Sequence, residues 1–219
     1  MKKIPDFRLY LVTDQGLSLG RPLDWIVEAA VRGGVTAVQL REKSCPIPEY
    51  VDIARRIQKV LQPSGVPLII NDRADVALAV GAAGVHLGQG DMLPGEARKL
   101  LGAEAIIGLS VETPEQGAAA DHLDVNYLGV SPIFPTPTKT DLMTAWGLQG
   151  LRRLRSRSRH RLIAIGGINS SNAAEVIEAG ADGIAVVSAI CSAPDPELAA
   201  RSLRQIIDRI RSQRNRQEK

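Results

Sequence analysis

The stretch PLIINDRADVALAVGAAGVHL (residues 67–87) holds one complete structural unit. PLII (67–70) is a short, continuous apolar run without the polar alternation of a half-exposed strand, so it reads as a strand buried on both faces. Asn71, Asp72 and Arg73 end it with polar groups. Ala74–Val80 then carries a helical pattern, Gly81 stands where that helix should stop, and GVHL (84–87) starts a second apolar strand. Two fully apolar strands joined through a helix imply a parallel pair and its crossover.

The same unit recurs along the chain. Apolar runs at RLYLV (8–12), AVQL (37–40), PLII (67–70), GVHL (84–87), AIIGL (105–109), VNYLGV (125–130), RLIAI (161–165) and GIAVV (183–187) give eight expected strands. Helical patterns fall at 23–32, 48–61, 74–80, 94–101, 114–120, 147–155, 171–179 and 196–211. Eight such units close a barrel. The expected fold is therefore α/β, a single-domain (β/α)8 TIM barrel over residues 1–211, with a polar, disordered tail over 212–219. A doubly wound open sheet is the alternative, but it would place G-x-G-x-x-G after the first strand, where this chain has TDQGLSLG (13–20). Asp24, Thr113 and Ser171 are expected N-caps, and Gly33, Gly81, Gly102 and Gly180 mark expected helix ends.

Composition agrees with this fold. Residues are 44% hydrophobic but only 3% aromatic, so the core must be built from Ala, Val, Ile and Leu, as suits a layered barrel interior. A chain of 219 residues should bury roughly 70% of its unfolded surface and needs neither disulfide nor metal to fold. Cys45 and Cys191 lack metal-ligand spacing, and neither a signal peptide nor a membrane-length apolar run is evident, so a cytoplasmic protein with no membrane partner is expected. The net charge of +3 is concentrated in Arg152–Arg161 and from Arg201 onward. Without interleaved aromatics these segments read as solvated faces rather than a nucleic-acid site. The sequence leaves the oligomeric state open, a homo-oligomer included.

In a barrel, reactive groups belong at the C-terminal strand ends. There the chain supplies Thr13-Asp14, then Gln39 to Lys43, Asn71-Asp72-Arg73, Gln89 with Asp91, Ser110, the segment SPIFPTPTKTD (131–141), Gly166-Gly167 and Val187-Ser188. Asp72 and Asp91 read either as helix caps or as two carboxylates converging on Mg²⁺, which takes one or two carboxylates and fills its shell with water and phosphate. Arg41 and Lys43 are either solvated charges or phosphate binders pointing over the mouth. Glu42 orients one of them rather than acting as a base. Thr136, Pro137, Thr138 and Lys139 form either a rigid turn or a preorganised phosphate loop. Gly166-Gly167 and Val187-Ser188 fit a barrel phosphate site built from backbone N–H groups. His86 lies inside a strand as a core or mouth residue, while His122 and His160 read as exposed. No nucleophile stands with a base, and neither Cys is in a reactive context.

VQLREK (38–43), INDRADVALAVGAAGVHLGQGDM (70–92), IGLSVET (107–113), YLGVSPIFPTPTKTD (127–141), AIGGI (164–168) and GADGIAVVSAI (180–190) together resemble the thiamine-phosphate synthase family over nearly the whole chain. The resemblance implies coupling of hydroxymethylpyrimidine diphosphate (HMP-PP) with a thiazole phosphate through a dissociative, carbocation-like step that releases pyrophosphate. It implies that Gln39, Leu40, Arg41, Glu42, Lys43, Asn71, Ser110 and Lys139 hold HMP-PP, with Arg41, Lys43, Ser110 and Lys139 as the catalytic set. Asp72 and Asp91 would hold Mg²⁺, and Thr136, Pro137, Thr138, Gly167, Val187 and Ser188 the thiazole phosphate. Ser131 and MTAW (143–146) depart from the family pattern without removing a ligand. A thiazole tautomerase of the same fold and a non-catalytic phosphate-ligand sensor are the rival readings.

Overall fold

The computed structural model describes residues 5–136 and 145–217. Eight parallel strands close into one barrel in chain order: β1 (Leu9–Val12), β2 (Ala37–Leu40), β3 (Leu68–Asn71), β4 (Gly84–Leu87), β5 (Ile106–Val111), β6 (Tyr127–Val130), β7 (Arg161–Ile165) and β8 (Gly183–Val186). Closure comes from β1 pairing with β8, Tyr10 lying opposite Ala185. Outside the strands lie α1 (Leu23–Arg32), α2 (Ile47–Leu61), α3 (Ala74–Val80), α4 (Pro94–Leu101), α5 (Pro114–Ala119), α6 (Gly147–Arg155), α7 (Ala173–Glu178), the single turn α8 (Ser188–Cys191) and α9 (Pro196–Gln217). Among the described residues, no helix is long and apolar enough to cross a membrane.

Alternation along each strand divides the apolar residues into two cores. Leu9, Leu11, Val38, Leu40, Ile70, Val85 and Leu128 face outward and pack beneath the helices. Phe7, Tyr10, Val12, Ala37, Ile69, Ile106, Tyr127, Ile163 and Ala185 fill the barrel interior. Three of these are aromatic, and Phe7 and Tyr127 lie with ring centroids 4.6 Å apart. The few aromatic residues of the chain thus include a cluster that plugs the barrel axis.

Backbones approach too closely for a side chain at the start of β8. A Cβ built on Gly183 would collide with the carbonyl oxygen of Phe7. Gly183→Ala is expected to cost ~3 kcal/mol through overpacking against immovable backbone. Thermal unfolding should show this as a Tm lower by roughly 6–12 °C for a chain of this size. An unchanged Tm would contradict the close approach.

Several boundaries differ from expectation for identifiable reasons. Thr113 does cap α5, accepting from Gln116 N, but Pro22 takes the cap position of α1 and Asp24 falls in its first turn. Helix α7 starts at Ala173 because Asn169 and its neighbours bond to one another first: Ser171 N donates to Asn169 Oδ1 and Asn169 N to Asn172 Oδ1, each at 2.9 Å. His160 is buried, with Nε2 3.0 Å from Ala120 O, whereas His122 is exposed as expected. The break expected at Ser212 is absent, since α9 continues to Gln217. Arg211 and Arg214 anchor that extension by donating to the carbonyls of Asp182 and Ile177.

Candidate active site

A cavity of about 370 Å³ opens at the C-terminal end of the barrel. Of the residues singled out in the sequence, Gln39, Arg41, Lys43, Asn71, Asp72, Ser110, Thr136, Gly167, Val187 and Ser188 line it. Inward parity on each strand explains the set: Gln39 follows Ala37 on β2, Asn71 follows Ile69 on β3, and Ser110 follows Ile106 and Gly108 on β5.

Arg41 is placed by the loop after β1. Thr13, fully buried, accepts from Arg41 N through Oγ1 at 3.1 Å, and Asp14 Oδ2 stands 3.3 Å from Arg41 Nη1. Asp14 also caps the next turn by accepting from Leu17 N. Lys43 is more exposed and reaches to 3.7 Å from Asp72 Oδ2. Two cations therefore hang over the same side of the mouth, each tethered by a carboxylate.

Asp72 adopts φ 61°, a left-handed conformation that Asp tolerates better than most side chains. Burial and then the neighbouring Asp91 carboxylate hold Asp72 above the usual carboxylate range, while Lys43 pulls it back. Asp91 stands in the loop after β4, where its Oδ2 accepts from Gly88 N at 2.6 Å. The two carboxylates form a pair; among the described residues, no group of three or more His, Cys, Asp or Glu side chains gathers to hold a metal.

On the opposite side, Gly166 and Gly167 have φ 103° and 67°. A Cβ on Gly167 would come within 2.8 Å of Phe134 Cβ and 2.9 Å of Pro135 O, so the turn is packed under the loop that leaves β6. Asn172 Nδ2 donates to Gly167 O at 2.9 Å and holds it there. Val187 precedes α8, whose first residue is Ser188.

Three predicted ligands among the described residues do not line the cavity: Leu40, Glu42 and Asp91, the last held on Gly88 N in the loop after β4. Leu40 is fully buried in the outer core, because its parity on β2 is opposite to that of Gln39. Its contribution is its carbonyl, which accepts from Tyr50 Oη at 2.8 Å; the same hydroxyl lies 3.3 Å from Asn71 O and so joins the ends of β2 and β3. Glu42 is not among the cavity-lining residues; its Oε1 is buried with no hydrogen-bond partner among the described residues, and burial followed by the charge of Asp14 raises its pKa. Pro137, Thr138 and Lys139 lie outside the described residues.

Sequence reading placed His86 in the core or mouth but missed the rest of the cavity floor. Tyr10 and Tyr127 line it beside His86, with Val12, Ile163 and Ala185 supplying apolar surface. Gln39 Nε2 donates to Tyr10 Oη at 3.0 Å, Tyr10 Oη lies 2.9 Å from Tyr127 Oη, His86 Nδ1 2.9 Å from Tyr127 Oη, and His86 Nε2 2.9 Å from Ser110 Oγ. Neither cysteine lines the cavity, and burial pushes the Cys191 thiol up to about 12 and also raises Cys45.

The thiamine monophosphate synthase family model matches residues 9–190. A thiamine-phosphate synthase of Albidiferax ferrireducens is 56% identical over 208 residues, covering 95% of either chain. One of Syntrophomonas wolfei is 51% identical over 204 residues, covering 93% of this chain and 98% of its own. Among solved structures, the thiamine phosphate pyrophosphorylase from Pyrococcus furiosus superposes with a TM-score of 0.86 at 37% identity, covering 94% of this chain and 98% of that one. Because these matches run from β1 through α8 and take in every strand end around the cavity, the chain belongs to the thiamine monophosphate synthase family, a family of transferases.

Proposed function

We propose that the chain couples 4-amino-2-methyl-5-(diphosphooxymethyl)pyrimidine, HMP-PP, with 4-methyl-5-(2-phosphoethyl)thiazole or its 2-carboxylate tautomer, giving thiamine phosphate and pyrophosphate. The observation that carries this reading is a two-sided mouth over a floor of aromatic and aliphatic side chains. Arg41 and Lys43 stand with Asp72 on one side, and the Gly166-Gly167 turn with Val187-Ser188 on the other. Two separate anion-binding edges suit two phosphorylated substrates.

The chemistry needs bond heterolysis and capture. The C–O bond to the diphosphate breaks with its electron pair leaving on oxygen, the pyrimidine methylene carries the positive charge, and the thiazole nitrogen lone pair forms the new C–N bond. No general base is required. Arg41 and Lys43 neutralise charge gathering on the departing oxygens, and the cavity holds the two rings close enough for capture to outrun water. Asp72 and Asp91 would hold Mg²⁺, for which the donor set is suited: two adjacent carboxylates, one with a raised pKa, form a site that a hard dication relieves. When bound, that ion adds positive charge at the diphosphate.

Pyrophosphate release should be measured with both substrates, with each omitted in turn, and with and without Mg²⁺. Release is expected only when both substrates and the metal are present. Release that ignores the thiazole phosphate would indicate hydrolysis rather than coupling, and no release from folded protein would overturn the proposal.

A further inference from the structure

The barrel floor carries a hydrogen-bonded chain that the proposed chemistry does not use. It runs Gln39, Tyr10, Tyr127, His86, Ser110, drawing on five different strands, and its four links measure 3.0, 2.9, 2.9 and 2.9 Å. Tyr10 and Tyr127 are essentially inaccessible, and the imidazole of His86 stacks on the Tyr127 ring at a centroid distance of 5.5 Å. Two phenylalanines would fill this space equally well, so the two hydroxyls need a reason beyond packing.

Hydrogen counting gives that reason. Each phenol has one hydrogen to give, and burial keeps both protonated by raising their pKa values. Gln39 Nε2 donates to Tyr10, so the Tyr10 hydrogen goes to Tyr127 and the Tyr127 hydrogen to His86 Nδ1. With those directions a neutral imidazole carries its hydrogen on Nε2 and donates to Ser110 Oγ. Among the described residues, what remains for a ligand is the hydrogen of Ser110 at one end and Oε1 of Gln39 at the other. Reversing Ser110 would require turning every hydrogen in the chain and rotating the Gln39 amide, so the two ends are not independent.

We propose that Tyr10, Tyr127 and His86 are positioning residues that join Gln39 and Ser110 into one unit of fixed direction, and that this unit selects an aminopyrimidine over its oxo counterpart. An amino group beside a ring nitrogen offers a donor and an acceptor, matching Gln39 Oε1 and the Ser110 hydroxyl. The oxo form offers acceptor and N–H in the reverse order and meets like with like. The selectivity rests on the reading under Proposed function and sets the pyrimidine against this floor; the direction of the chain does not depend on that reading.

The test uses Tyr127→Phe, Tyr10→Phe and the double variant of the full chain. Steady-state rates are measured with HMP-PP, with its 4-oxo analogue and with thiazole phosphate, and the imidazole is followed by ¹⁵N NMR, assigned against His86→Asn. The wild-type protein is expected to show one neutral tautomer with the hydrogen on Nε2. Tyr127→Phe should raise KM for HMP-PP about tenfold and lower the amino-over-oxo ratio about tenfold, with KM for thiazole phosphate nearly unchanged. The double variant should be no worse than Tyr127→Phe, because the chain is already cut. An unchanged amino-over-oxo ratio in the folded single variants would overturn the selectivity, and a hydrogen on Nδ1 or a mixture of tautomers would overturn the direction. Should Tyr127→Phe fail to fold, Tyr10→Phe cuts the unit at its other end and answers the same question. If the wild-type protein released no pyrophosphate, the proposed function would fall, while the tautomer of the ligand-free protein would still decide the direction.

Discussion

Asp91→Ala is expected to lower kcat/KM by at least ~10³, a loss of about 4 kcal/mol in transition-state stabilisation, while leaving the barrel folded. Asp91 is exposed, lies in a loop and makes one local bond, to Gly88 N, so its removal costs only ~1 kcal/mol of stability. The companion variant Asp91→Asn separates charge from geometry. Its amide oxygen can still accept from Gly88, yet it no longer opposes the Asp72 carboxylate, whose pKa burial and Asp91 both raise. In the presence of a chelator, Asp91→Asn should therefore unfold at the same temperature as the wild-type protein or higher, despite having lost activity. Binding of Mn²⁺, followed by its EPR signal, should weaken in both variants. Near-wild-type turnover in Asp91→Ala would remove Asp91 from the proposed site.

Arg41→Met should lower kcat by about 10²–10³, the usual cost of losing one preorganised cationic donor at a departing oxyanion. Asp14 meets the guanidinium and Thr13 fixes the backbone N–H of Arg41 before any ligand arrives, so little ordering remains to be done on binding. Arg41→Lys should recover only part of the loss, since an ammonium supplies the charge without the planar fork. Asp14→Asn is expected to fall between wild type and Arg41→Met, because it loosens Arg41 without removing it. Pre-steady-state burst measurements separate the chemical step from product release. If Arg41→Met raised KM and left kcat intact, Arg41 would be a binding residue only.

The strand positions were legible because a strand buried on both faces is apolar throughout, and PLII, GVHL and RLIAI have no competing helical period. Mouth residues were legible for a related reason: polar groups such as Asn71 and Ser110 interrupt apolar runs at strand ends. What the sequence obscured depends on direction. Alternation sends Leu40 outward, and strict inside-outside counting from Ala37 would have placed it. The floor chain was harder, because Tyr10 and Tyr127 lie 117 residues apart and meet only once the barrel is closed. Polar composition hid the helical continuation of the C-terminal segment, where Arg211 and Arg214 donate to the carbonyls of Asp182 and Ile177.

The pairing of β1 with β8 sets an order on synthesis. Until residues near Val186 have left the ribosome, the nascent sheet has two open edges, and the Tyr10 strand waits for a neighbour made some 175 residues later. Val187 and Ser188 follow at once, so one edge of the mouth is among the last parts to emerge. A polypeptide released early, short of β8, would lack both barrel closure and that edge, and would present unpaired strands that invite aggregation. In this chain, translational fidelity over the final quarter decides whether a nascent barrel becomes a catalyst or a substrate for proteases.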